Sequence, residues 1–251
     1  MTGNFGVMSM EAVSPDVPEI DHEHPDVTGG WLRPAVFGAM DGLVSNVALI
    51  AGMAGGTRHL GDSSAVVLAG IAGLVGGAFS MATGEYVSVA SQSEAAQREI
   101  ARERVEILRN PAGETAELAR TYVAKGLDPE LAGEVARQIH ADVENAVLVH
   151  AREELGVDPD DLPSPRLAAA SSFGAFAVGA LIPLLPYLLG STSLLPAAVL
   201  TLVALFACGA VVAHVTVRPW WYGGARQALM GAGSATVTYT LGLLIGSAVT
   251  G

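Results

Sequence analysis

SAVVLAGIAGLVGGAFSMATGEYVSVASQSEAAQREIARERVEILRN, residues 64–110, passes from one solvent to another without a break in its helical pattern. Its first part, Ser64 to Ser88, is apolar and exceeds the roughly 20 residues that a helix needs to cross a bilayer. From Glu94 to Arg109 there is no Pro or Gly, helix formers dominate, and acidic and basic side chains are interleaved. Nothing between the two parts would stop a helix. The reading is one long helix that leaves the membrane and continues into water until Asn110-Pro111 ends it.

The rest of the chain divides along the same line. The 251 residues are 15% charged, against about 25% in soluble domains, and the mean hydropathy is +0.44. Of 25 acidic residues, 16 lie between Glu94 and Asp161, and none follows Asp161. Besides Ser64–Ser88, four segments are long and apolar enough to span: Pro34–Ala54, Leu167–Leu189, Leu194–Val217 and Ala228–Val249. Their connections are short except the one between the second and third. The expected organisation is therefore a disordered acidic tail (1–30), spans one and two (31–93), an inserted helical domain (94–163) and spans three to five (164–251).

Inside the insert, helices are expected over Glu94–Arg109, Gly113–Lys125, Asp128 to His140 and Val143–Leu155, with Asp128-Pro129 as a capped start and Gly126 and Gly156 as stops. Arg33, Arg98, Arg166, Arg218 and Arg226 lie near span ends and fall on one side, with Arg58 on the other, so the N-terminus and the insert are expected to be cytoplasmic. Trp220, Trp221 and Tyr222 sit where an interfacial aromatic belt would. Pro183 and Pro186 are expected to kink or break span three. Gly38/Gly42, Gly52/Gly56, Gly73/Gly77 and Gly242/Gly246 form GxxxG pairs, which let helices approach closely in lipid.

The net charge of −12 speaks against nucleic acid as a partner and suits cations. The single cysteine, Cys208, excludes an intrachain disulfide and a Cys-rich metal site. The tail reads as solvated chain rather than a signal peptide, although its DHEHPD run carries His22 and His24. No nucleotide-binding GxxxxGK[ST] and no Ser-His-Asp, Cys-His or HExxH arrangement is present, so an enzyme is not expected.

Two carboxylates, Asp41 and Glu85, lie within the spans. A charge at the bilayer centre costs about 3 kcal/mol or more, so such residues are functional candidates. Met81, Glu85, Ser88 and Gln92 share one helical face, as do Asp41 and Ser45, with Asn46 beside them. Two polar stripes suggest a hydrated path, and a carboxylate with a thioether suits a borderline divalent transition metal better than Mg²⁺ or Ca²⁺. In the insert, Glu99, Glu103 and Glu106 follow one face, Glu114 and Glu117 another, and Glu153 and Glu154 close the block one turn after His150. Such like charges need compensation. A bound cation supplies it, and so do the interleaved Arg98, Arg102, Arg104 and Arg109; the pattern alone fits both.

FGAMDGLVSNVALIAGMAGG (37–56) and GLVGGAFSMATGEYVSVASQ (73–92) resemble the vacuolar iron transporter, or nodulin-21-like, family, and the likeness runs on through REIARERVEIL (98–108), KGLDPELAGEVA (125–136) and HAREELGV (150–157). The DGxxS and SMxxGEYxSxxSQ elements are its most specific parts. The resemblance implies an all-α polytopic membrane protein with five transmembrane helices and a cytoplasmic metal-binding domain, working as a homodimer. It implies export of Fe²⁺, with Mn²⁺, Co²⁺ or Zn²⁺ as further ions, in exchange for protons. It places pathway residues at Asp41 and Met81, with Glu85 in the same motif, and metal-binding glutamates at Glu103, Glu106, Glu114, Glu117 and either Glu153 or Glu154. Where relatives carry methionines, this chain has Val147-Leu148-Val149-His150; either His150 takes over as a ligand or the domain binds through oxygen alone. The alternative function is a membrane-anchored metal sensor or store without transport. Twelve arginines against one lysine hint at a bacterial genome and hence at the plasma membrane.

Overall fold

The computed structural model describes residues 30–58, 61–215 and 218–250; the acidic tail with His22 and His24 lies outside them. The described residues form helices only: α1 (Leu32–Gly56), α2 (Ser64–Arg109), α3 (Pro111–Ala124), α4 (Pro129–Ile139), α5 (Val143–Glu153), α6 (Pro165–Leu188), α7 (Leu194–Val215) and α8 (Trp220–Thr250). Five of them, α1, α2, α6, α7 and α8, are long and apolar enough to cross a membrane. The protein is an all-α polytopic membrane protein.

At 1.5 Å per residue, the 46 residues of α2 extend about 69 Å, more than twice the roughly 30 Å of a bilayer core. The single long helix expected from 64–110 is present, and its distal half carries the insert. There Ile107 packs with Ala146 and Val147, flanked by Ile100, Ile139 and Val143, which binds α5 to α2. Asp128 caps α4 by accepting from the Glu130 and Leu131 amides, and Asp142 caps α5 in the same way. Gly126, at φ 102°, closes α3 in a left-handed conformation that few other residues adopt. Ser93 Oγ donates to the Pro163 carbonyl at 2.9 Å and ties the exit of α2 to the re-entry of α6.

Within the spans α1 is central and touches α2, α6, α7 and α8. All four GxxxG pairs lie at helix crossings. Gly38 and Gly42 lie against the α6 backbone at Ser172 and Phe176; Gly52 and Gly56 meet Thr238 and Gly242 of α8; Gly246 lies on Gly56; Gly77 is covered by the Phe176 ring. Leu68, Ile71, Val75 and Phe79 on α2, and Leu229, Val237, Leu241 and Ile245 on α8, are exposed. So much apolar surface is a liability in water and the normal outer face of a helix in lipid.

Two expectations change. Pro183 and Pro186 do not break span three, because α6 runs on through both to Leu188. They sit in its last two turns, where two ladder bonds at most are lost, and Pro183 is buried with Leu184 and Tyr187 in the packed end of the bundle. Span five starts earlier than Ala228: Trp220, Trp221 and Tyr222 form the first turn of α8 instead of a loop before it. Their exposed rings keep the place of an aromatic belt.

Candidate metal centres

The insert builds its site from two helices. Glu103 lies on α2 four residues before Ile107, His150 lies on α5 three residues after Val147, and the Ile107–Val147 contact brings their faces together. Glu154 follows at the C-cap of α5, one turn beyond His150. His150 Nδ1 is 2.9 Å from Glu103 Oε1 and 3.1 Å from Glu154 Oε1. Ligand atoms at adjacent corners of an octahedron with bonds of about 2.1 Å stand about 3.0 Å apart; both separations from His150 match that spacing, and all three donor atoms lie within 4.8 Å of one another. His150 is fully buried and the Glu103 side chain is 10% exposed. Despite the short approach, neither His150 Nδ1 nor Glu103 Oε1 has an aligned hydrogen-bond partner among the described residues. Buried polar atoms in that condition are costly. A cation between them removes the cost.

More carboxylates surround this core. Burial pushes the Glu154 carboxyl above its ordinary range, and the nearby Glu117, Glu114 and Glu106 push it further. Glu114 is raised by burial and by Glu117. Arginines relieve only the rim: Arg102 reaches Glu99 at 3.8 Å and Glu106 at 3.1 Å, Arg120 reaches Glu117 at 4.0 Å, and Arg104 pairs with Glu144. Glu153 points away and pairs with Lys125. Of the neighbouring pair left open by the sequence, Glu154 is thus the one brought to the cluster.

The arrangement predicts proton release. A metal takes the ionised carboxylates and the free imidazole nitrogen, whereas raised carboxyls hold protons at a higher pH than usual. Adding divalent metal to the purified protein in weak buffer is expected to acidify the solution, more strongly below neutrality than above it, with metal affinity falling as pH falls. A pH-indicator dye during titration measures it; metal uptake without acidification at any pH would contradict the assignment.

The second site lies between α1, α2 and α6. A cavity of about 220 Å³ is lined by Asp41, Ser45, Asn46, Ser80 and Met81, with Gly73 and Gly77 leaving the space. Asn46 is buried and its Nδ2 donates to the Ala180 carbonyl at 2.6 Å, which turns Oδ1 towards Gly73; that oxygen has no partner among the described residues. Ser45 Oγ donates to the Asp41 carbonyl at 2.6 Å. Met81 also packs on the Ala78–Phe176–Ala180 cluster. Glu85, half-buried, and Ser88 and Gln92, both exposed, continue along α2 beyond the cavity lining.

Sequence reasoning had Asp41 and Ser45 on one helical face and Met81 on a face of the next span, and the structure brings all three to one cavity. It singled out neither His140, whose Nε2 lies 3.0 Å from His150 Nε2, nor the oxygen of Asn46. Burial lowers the pKa of His140, and neighbouring His150 lowers it further.

A helical bundle that keeps a carboxylate in its apolar part, and a glutamate–histidine cluster on an extension of one of its helices, belongs with membrane proteins that handle cations. Residues 32–243 match the VIT family, and the chain belongs to it. A vacuolar iron transporter of Acanthamoeba castellanii is 41% identical over 171 residues, covering 67% of this chain and 60% of that protein's length. Vacuolar iron transporter 1 of Oryza sativa subsp. japonica is 32% identical over 227 residues, covering 87% of this chain and 88% of its own. That of Arabidopsis thaliana is 34% identical over 205 residues, covering 78% and 80%.

Proposed function

We propose that this protein moves Fe²⁺, with Mn²⁺ as a second substrate, out of the cytosol in exchange for protons. The observation that carries the reading is the continuity of α2. One helix bears Glu103 in the insert's donor cluster and Met81 beside Asp41 in the intramembrane cavity. The insert gathers metal at the cytoplasmic mouth through Glu103, Glu154 and His150, with Glu106, Glu114 and Glu117 around them. The ion then follows Gln92, Ser88, Glu85 and Met81 to Asp41. A carboxylate in a low-dielectric site exchanges a proton for a metal, which couples the two flows without ATP. The names of the relatives support iron as substrate.

Ser88 and Gln92 are uncovered within one chain. Polar side chains facing lipid are costly, and a second copy covering this face would enclose the path, so the working unit is a homodimer. The arginine-rich composition points to the plasma membrane of a bacterium, with the insert inside.

The test is flux in proteoliposomes carrying an internal pH probe, with Fe²⁺, Mn²⁺, Co²⁺ and Zn²⁺ supplied in turn. Metal uptake with opposite proton movement is expected, strongest for Fe²⁺. Metal binding without flux would return the protein to the sensor or storage reading; flux without proton movement would remove the antiport.

A further inference from the structure

We infer that His140 is a positioning residue that holds His150 as an Nδ1 ligand, so that the insert's centre is a mixed nitrogen–oxygen site selecting first-row transition ions over Mg²⁺ and Ca²⁺. The inference rests on the reading above that the Glu103–Glu154 cluster takes divalent metal.

The His150 ring is fully buried, with polar groups facing both of its nitrogens. Its Nδ1 faces the Glu103 and Glu154 oxygens at 2.9 and 3.1 Å. Its Nε2 faces His140 Nε2 at 3.0 Å, with the rings at 83° and their centroids 5.0 Å apart. To bind a metal, Nδ1 must present a lone pair, so the ring proton sits on Nε2. A buried N–H needs an acceptor. The atom in reach is His140 Nε2, which accepts when its own proton is on Nδ1. His140 therefore does for His150 what a carboxylate or carbonyl does behind many metal-binding histidines: it fixes the tautomer and the ring orientation.

The fold holds this pair in place. His140 is the C-cap of α4, its amide donates to Ala136 O, and the chain turns at once into the Asp142 cap of α5. The preceding residue, Ile139, packs against the Ile107–Ala146–Val147 core. The two histidines, ten residues apart, meet across that turn. An imidazole nitrogen among carboxylates changes which ions fit: Mg²⁺ and Ca²⁺ take oxygen shells, whereas Fe²⁺, Co²⁺ and Zn²⁺ accept nitrogen readily.

Co²⁺ is the probe, titrated into the purified full-length protein with Mg²⁺ in competition, and read by its visible absorption. His140→Leu removes the acceptor and is expected to weaken Co²⁺ binding about 10–100-fold with altered absorption bands, while Mg²⁺ affinity stays within about twofold. His140→Gln, whose Oε1 can accept from Nε2–H, is expected to recover most of the loss. Equal behaviour of the Leu and Gln variants overturns the inference. So does wild-type protein that gives up Co²⁺ to an equimolar amount of Mg²⁺, a test that needs no variant. Glu103→Gln separates the two layers. If it leaves Co²⁺ binding intact, the metal-gathering reading itself fails; if it abolishes binding while His140→Leu changes neither affinity nor spectrum, only the role of His140 falls.

Discussion

Asp41→Asn is expected to lower metal-driven proton movement by about a hundredfold or more, while metal binding at the insert stays within about twofold. Asp41 is the carboxylate in the lining of the intramembrane cavity, where Ser45, Asn46, Ser80 and Met81 offer neutral oxygens and a thioether. An ion arriving there gives up hydration, and neutral ligands do not replace the lost charge stabilisation. Bonds to charged groups contribute about 1.5–3 kcal/mol in ordinary settings, more where water is excluded, and each 1.4 kcal/mol is about a factor of ten. Asparagine keeps the shape of the side chain but can neither take up nor release a proton in the working range. Flux and internal pH recorded together in proteoliposomes decide the matter. Iron flux at the wild-type rate with unchanged proton coupling would remove Asp41 from the mechanism.

Gly42→Val is expected to prevent assembly of the bundle. A Cβ on Gly42 would overlap the Phe176 carbonyl oxygen and stand 2.9 Å from the Ala180 amide nitrogen. Both are backbone atoms inside α6 and cannot rotate away, so α1 and α6 would have to separate along their crossing. Gly179 enters the same crossing from the other side, against the Ala39 backbone. In lipid, association of helices depends on such close packing, since burying apolar surface gains little there. Overpacked sites typically cost about 1–3 kcal/mol. Backbone overlap at the central crossing falls at or beyond the top of that range. Gly76→Ala and Gly84→Ala are the controls: both positions are helical with open space around the Cβ, and alanine is the better helix former by about 1 kcal/mol. Thermal unfolding in detergent should show Gly42→Val lost or greatly destabilised and the two alanine variants unchanged or improved. Similar behaviour of all three would mean that the α1–α6 contact does not hold the fold.

Much of this architecture was legible in the sequence because membrane spans and helix exits are written locally. Apolar length gave the five spans, and the absence of any breaker between Ser88 and Arg109 gave the long α2. The GxxxG spacing pointed to glycines that do lie at helix crossings. The departures were local as well: of the kink or break expected at Pro183 and Pro186 the break does not occur, because packing on other helices carries α6 to Leu188, and the aromatic turn at Trp220 was taken for a loop. The candidate centres were legible only where ligands share a helix face, as Asp41 does with Ser45. Choosing between Glu153 and Glu154 required knowing that Lys125, on the chain just after α3, would engage the first. His140 belongs to a different helix from His150, and no periodicity spans the turn between them. Asn46 looked like one more polar residue until Ala180 fixed which of its amide atoms faces Gly73.

Between Glu85 and Arg109, α2 contains neither Gly nor Pro, so this stretch has no built-in hinge. Glu85 and Glu103, 18 residues apart, are separated by about 27 Å of stiff rod. A tilt of about 6° at the membrane end swings Glu103 by about 3 Å, as far as the whole spacing between it and His150. The donor cluster survives such a swing only if α5 travels with α2, and the Ile107–Val147 contact makes it do so. The insert therefore behaves as the weighted end of a lever. Whatever rocks the transmembrane half carries the Glu103–His150–Glu154 cluster bodily, without prying its side chains apart.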